Sequence, residues 1–257
     1  MLQIKRKVVS FLMGKIHFSI RFSLLLVVLA TVLFLLSSCL ARQTLNIAPN
    51  GSGTCTITIS LNPEFVDYAL DLGEAAGYFP NRDTAALFDQ TEIRKSFAGL
   101  QDISLNSLQS DGKKNISIAF SFSNIQTLLT SHEFFRKTGL IRYSTTGNTT
   151  NISVAFNNTL VHIFFEEILG LSREEYEYLL PQPGESRASW YEALDFSMEN
   201  GRAIVQSSFV SVDVTVPGTI QSHNGADQGK NCIRFSQSLE NILFAKESTT
   251  WNLVYRQ

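Results

Sequence analysis

The sequence predicts an α+β fold, on three observations. Segments of strict apolar/polar alternation recur, as in Thr54-Cys-Thr-Ile-Thr-Ile-Ser-Leu61, where Cys55, Ile57, Ile59 and Leu61 share one face. Between them lie segments with apolar residues at helical spacing behind capping residues, such as Asn62-Pro63-Glu64 ahead of Phe65, Ala69 and Leu72. Asp111-Gly112 between two alternating runs is a strong hairpin signal, which makes the sheet antiparallel in part. With 257 residues, 44% apolar and 17% charged, the composition excludes collagen-like and disordered classes.

In chain order the first element is a leader. Residues 22–36 are uncharged and apolar, and Lys5, Arg6, Lys7, Lys15 and Arg21 precede or border them with no acid. The run has the length of a signal-peptide core and falls short of the ~20 residues a spanning helix needs. Met13, followed by Gly14 and Lys15, makes a more typical start than Met1 for such a leader. Leu36-Ser37-Ser38-Cys39 follows at once. This tetrapeptide resembles the lipobox of bacterial lipoproteins, an aliphatic residue and two small ones before the cysteine. The resemblance implies cleavage after residue 38, lipidation of Cys39 and several acyl chains at the mature N-terminus, enough for stable anchoring. Residues 1–38 are thus expected to be a signal peptide. Residues 39–53, with Pro49, Gly51 and Gly53 and no clear period, are expected to be a flexible tether, reaching at most ~46 to 50 Å.

The body, residues 54–257, opens with the strand 54–61 and the helix after Asn62. Asp89 with Glu92 three residues on predicts a second helix ending at Gly99. Strands are expected at 102–108 and 115–122, then a helix capped by Ser123 and a strand at 140–145. The same order returns: a strand at 151–156, a helix capped by Asn158, strands at 208–216 and 231–235 around a long polar loop, a short helix at 239–244, and a last strand carrying Trp251, Leu253 and Tyr255. An insertion at 170–201 adds two helices, with capping patterns at Ser172–Glu175 and Ser189–Glu192 around Pro181-Gln-Pro-Gly184.

This β-α-β-β-α-β order resembles the ferredoxin-like fold, an antiparallel sheet with helices mainly on one face. Thr56–Asn62 lies over Asn151–Asn157, and Ile118–Ser121 over Ile233–Ser236, which expects two halves, 54–147 and 148–257. Tandem sandwiches, edge strands joined in one sheet of about eight, and one α+β domain without duplication stay open. The order carries no motif, and so no activity.

Five of the 21 cations and none of the 23 acids fall in residues 1–38, so the remainder carries a net charge near −7. That argues against a phosphate-neutralising surface, and no nucleic-acid partner is expected. Once Cys39 is lipidated, Cys55 and Cys232 remain as an even pair outside the cytoplasm. Two readings stand: a disulfide, worth up to ~5 kcal/mol, or two buried thiols on separate strands. His162 and Glu166 share a helix face, but two ligands do not make a zinc site, and His132-Glu133 lacks the second histidine of H-E-x-x-H. His223 reads as part of a solvated turn with Asn224 and Gly225, and Asp67, Asp71 and Glu74 as an exposed acidic face. The chain has no G-x-S-x-G, phosphate-binding loop or C-x-x-C, and no catalytic residue, metal or cofactor is assigned.

The insertion concentrates aromatic surface. Tyr176, Tyr178, Trp190 and Tyr191 form either a site for an envelope protein partner or a cap on the open end of the sheet. The leader and body together predict a lipid-anchored protein of a bacterial cell envelope facing away from the cytoplasm. Its expected role is non-catalytic binding or scaffolding. A lipid-anchored hydrolase and a carrier of a small apolar ligand are the alternatives.

Overall fold

Alternation sets the frame of the molecule. The computed structural model describes residues 39–75, 77, 80–98, 100, 102–131, 141–156, 162, 173, 180–182, 184–245 and 249–257. The expected signal peptide, the helix expected after Asn158 apart from residue 162, and residues 170–179 apart from 173 lie outside them. In order, the elements are β1 (Cys39–Ile47), β2 (Gly53–Leu61), α1 (Pro63–Ala75), α2 (Gln90–Phe97), β3 (Ile103–Ser110), β4 (Asn115–Phe122), α3 (Ile125–Ser131), β5 (Ile141–Thr146) and β6 (Thr149–Phe156). There follow α4 (Arg187–Ser197), α5 (Gly201–Gln206), β7 (Phe209–Thr215), β8 (Thr219–His223), β9 (Ala226–Gly229), β10 (Cys232–Ser238), α6 (Leu239–Leu243) and β11 (Thr249–Arg256). The architecture is α+β.

The strands form two sheets, one of seven in the order β3-β4-β2-β1-β7-β10-β9 and one of four in the order β5-β6-β11-β8. Every described pairing is antiparallel except β1 with β7. Paired residues share a face, so Phe120, Cys55, Leu45, Val214 and Ile233 form one inward row across the large sheet. One residue along, Ala119, Thr56, Thr44, Asp213 and Arg234 form the matching outward row. The inward face is the core. Phe97 of α2 packs on Phe120 with ring centroids 5.7 Å apart, and Trp251 of the small sheet stacks on Phe235 at 5.4 Å. The outward face is lined by Thr54, Thr56, Thr58, Ser60, Ser117 and Ser121, half-buried or exposed, as expected of a sheet with one wet side.

Three expectations are corrected. Residues 39–47 are no tether but β1, in the middle of the large sheet, bonded to β2 on one side and β7 on the other. Its inward set is Ala41, Gln43, Leu45 and Ile47, and a methyl and an amide among four positions blur the period that would have announced a strand. The loop at 217–230 contains β8 and β9, short and polar because both lie at the far edges of their sheets. Neither half closes a ferredoxin-like sheet of its own. β2, β3 and β4 pair as that fold requires, but β1 takes the fourth place and β5 leaves for the small sheet. In the second half β7 pairs with β10 while β6 and β11 pair elsewhere.

The capping signals at Asn62 and Asp89 hold, while those at Asn158 and Ser172 lie outside the described residues. Asn62 Oδ1 accepts from Glu64 N at 2.7 Å, and Asp89 Oδ1 accepts from Thr91 N and Glu92 N. Two caps shift: Asn124, rather than Ser123, caps α3, and Ser186, three residues before Ser189, caps α4. The β3–β4 turn spans four residues. Burial raises the Asp111 carboxyl, but the N–H groups of Asn115, Lys113 and Lys114 outweigh it and hold the pKa at about 2.

Candidate functional site

Cys39 is the first residue of β1, opposite Leu61 of β2. Leu40, next in the strand, is the parallel partner of Phe209, the first residue of β7. Both belong to the outward set, and both are exposed, Leu40 at 60% and Phe209 at 44%. From α4, Phe196 is 94% exposed. Asn200, four residues on, donates from Nδ2 to both Glu64 carboxylate oxygens at 3.2 Å, and Glu64 lies three residues past Leu61. That bond brings the C-terminal end of α4 to the same end of the sheet as Cys39. The second link is α5, which leads from Gly201 directly to Phe209. Sequence reasoning missed this grouping. The only local signal was a pair of large apolar residues, Leu40 and Phe209, at positions where their strands present hydroxyl or charged side chains.

Further along the outward face, Asp213 sits between two arginines. Arg42 donates through Nε and Nη2 to Oδ2 at 3.1 and 2.7 Å, and Arg234 through Nε to Oδ1 at 2.6 Å and Nη2 to Oδ2 at 2.9 Å. The bonds from Arg234, and then those from Arg42, hold the Asp213 carboxyl below its usual range against the opposing effect of burial. Both carboxylate oxygens of this acid accept from the guanidiniums, Oδ2 from both arginines and Oδ1 from Arg234. The cluster was legible only as an acid inside the valine-rich run 210–216.

The structure does not bring Cys55 and Cys232 together. Both are free thiols. Cys55 faces inward on β2 and Cys232 outward on β10, with β1 and β7 between them, so their Cα atoms are some 14 Å apart against the ~7 Å limit for a bridge. Burial pushes the Cys55 thiol up to about 12, and Gln43 Nε2 donates to its Sγ at 3.1 Å. A thiol so protonated is a packing group rather than a nucleophile.

Trp190 and Tyr191 are core residues, each 4% exposed, which corrects the reading of an aromatic docking patch. Trp190 meets Phe244 edge-on at 5.4 Å, and Tyr191 Oη donates to Glu240 Oε1 at 2.9 Å. Burial, and then that bond to a carboxylate, raise the tyrosine pKa. With the cap at Ser186, Trp190 and Tyr191 lie within the first turns of α4, where Phe244 and Glu240 cover them. Tyr176 and Tyr178 lie outside the described residues, as do Glu166, His132 and Glu133.

The remaining candidates are occupied by structural contacts. Arg82 bonds Asp67 at 2.8 Å and also Asp71, and its backbone N–H donates to Glu74 Oε1 at 3.3 Å, so the acidic face of α1 converges on one cation. His223 closes β8, with Nδ1 3.0 Å from Gly225 O and Nε2 3.3 Å from Asp227. Among the described residues no three His, Cys, Asp or Glu side chains are grouped to hold a metal, and no helix is long and apolar enough to cross a membrane.

No protein-family model matches the chain, and no curated protein matches it. Among solved structures, the chain is similar to the folded domain of the Mycobacterium tuberculosis protein LppM, determined by NMR, at 12% identity and a TM-score of 0.44, over 86% of this chain and 90% of that one.

Proposed function

We propose that this chain is the precursor of a lipid-anchored lipoprotein of a bacterial cell envelope, whose domain serves there as a non-catalytic binding or scaffolding component. The observation that carries the reading is the tetrapeptide Leu36-Ser37-Ser38-Cys39 at the end of a 15-residue apolar run, behind a leader with five cations and no acid. Small residues before the cysteine let a peptidase reach the backbone, and the thiol accepts a diacylglyceryl group. The pairing of three described acids supports a role without catalysis: Asp213 is held by two arginines, and Asp67 and Asp71 by Arg82.

Expression of the full chain in bacteria with radiolabelled palmitate tests the anchor. Label in the mature protein, a mass corresponding to cleavage after Ser38, and loss of both in Cys39→Ala are the expected results. Unlabelled protein that retains residues 1–38 would remove the reading.

A further inference from the structure

The end of the molecule that carries Cys39 also carries all three large apolar side chains exposed among the described residues: Leu40, Phe209 and Phe196. Side chains of this kind scattered singly need no explanation; carried together at one end of the molecule, they mark a contact surface. What covers them follows from the chain between the anchor and the fold, which has no length. Cys39 is already in β1, and Leu40 is fixed between Ser60 and Phe209 by the strands on either side. Acyl chains attached at residue 39 therefore bring the bilayer surface within one residue of Leu40, where a tether of the expected length would have let the domain float free. A strand advances only ~3.3 Å per residue, so the surroundings of Cys39 in the sheet become the surroundings of the lipid headgroups.

We propose, resting on the lipoprotein reading, that this end of the domain is a bilayer-contacting face: Leu40, Phe209 and Phe196 enter the boundary between headgroups and acyl chains and hold the acylated domain in one orientation. Charge does not drive the contact. At this end cations and acids are both present: Arg202 stands beside Asp195, which accepts from its backbone N–H at 2.7 Å, Glu64 is bonded by Asn200, Arg42 is held by Asp213, and the turn of Asp111, Lys113 and Lys114 closes on Leu61, whose N–H donates to Lys114 O. The contact is apolar, and adhesion is expected to be as strong on zwitterionic as on anionic lipid. The remaining outward face, rich in serine and threonine, is then carried at a set angle to the membrane.

Tryptophan placed at each end of β1 tests this in the acylated full-length protein. Phe196→Trp puts an indole at the Cys39 end, where the native ring is almost fully exposed and its replacement leaves the core untouched. Asn50→Trp puts one in the exposed turn at the other end. The native Trp190 and Trp251 are both buried and give a constant background. The proteins are reconstituted in phosphatidylcholine vesicles with bromine on the upper acyl chain, and acylation is verified by mass. The F196W protein should lose roughly half its added emission and shift to the blue, while the N50W protein is unchanged, with no dependence on salt. Equal, weak quenching of the two in verified acylated protein would overturn the orientation and leave the lipoprotein reading standing. A blue shift in F196W without bromine quenching would also overturn it, in favour of a second copy on this face. A mass showing unmodified Cys39 would remove both proposals together.

Discussion

Asp213 shows how one side chain couples distant parts of this chain. It faces outward from β7 beside β1, where Arg42 reaches it, and β10, where Arg234 does. Its side chain is 7% exposed while Arg42 remains 51% exposed, so solvent screens one half of the cluster. Asp213→Ala strands two guanidiniums that can partly rehydrate, and it should cost about 1–3 kcal/mol at neutral pH, measured by urea unfolding. The sign of the pH dependence follows from the depressed carboxyl. The contribution is complete above the ordinary carboxylate range and is lost as pH falls through the lower folded value. The native protein should therefore lose more stability on acidification below about pH 4 than Asp213→Asn does. Equal acid slopes in the two would mean that the carboxyl is not held down.

At the level of elements, α4 and β1 teach opposite lessons about pattern. In α4 the aromatic content was evident from the sequence, but its use was not, because either a partner or a neighbouring helix can bury an indole. The structure spends Trp190 on Phe244 and Tyr191 on Glu240 of α6. Trp190→Ala should then cost ~3–5 kcal/mol and lower the melting temperature by roughly 10 °C. Tyr191→Phe keeps the ring and loses one bond to a carboxylate, a smaller cost of about 1.5 kcal/mol. A Trp190→Ala protein with a native melting curve would return the ring to the surface. In β1 the pattern itself was weak. Ala41 and Gln43 hold inward positions, and the strand exists because β2 and β7 both supply bonding partners. By contrast β2, β4 and the turn at Asp111 were legible, since their apolar residues alternate without interruption and the acid–glycine pair specifies the turn.

For the whole molecule the decisive fact is that the two sequence halves share both sheets. β1 and β2 lie beside β7 and β10 in the large sheet, and β5 lies beside β6 in the small one. A fragment ending at residue 147 would expose the edge of β1 and leave β5 without a partner. We expect one cooperative thermal transition for residues 39–257 and no folded state for 54–147 alone, checked by calorimetry and by amide dispersion in proton NMR. Two separate transitions would restore the tandem arrangement. Residues 56–62 and 151–157 share one alternating pattern, yet β2 and β6 occupy different sheets, because matching alternation specifies a strand and not its neighbour.

What the sequence determined by itself is local: the apolar run 22–36 with Cys39 behind it, the strands with unbroken alternation, the caps at Asn62 and Asp89, and the α+β class. These follow from hydrogen bonding and side-chain period within a few residues. Only the tertiary structure decided that residues 39–47 pair on both sides, that Cys55 and Cys232 stand on opposite faces, that Trp190 and Tyr191 are buried, and that Leu40, Phe209 and Phe196 lie at one end. Each of these depends on which strand lies beside which, a choice made by burial summed over the whole chain, and no window of sequence contains that sum.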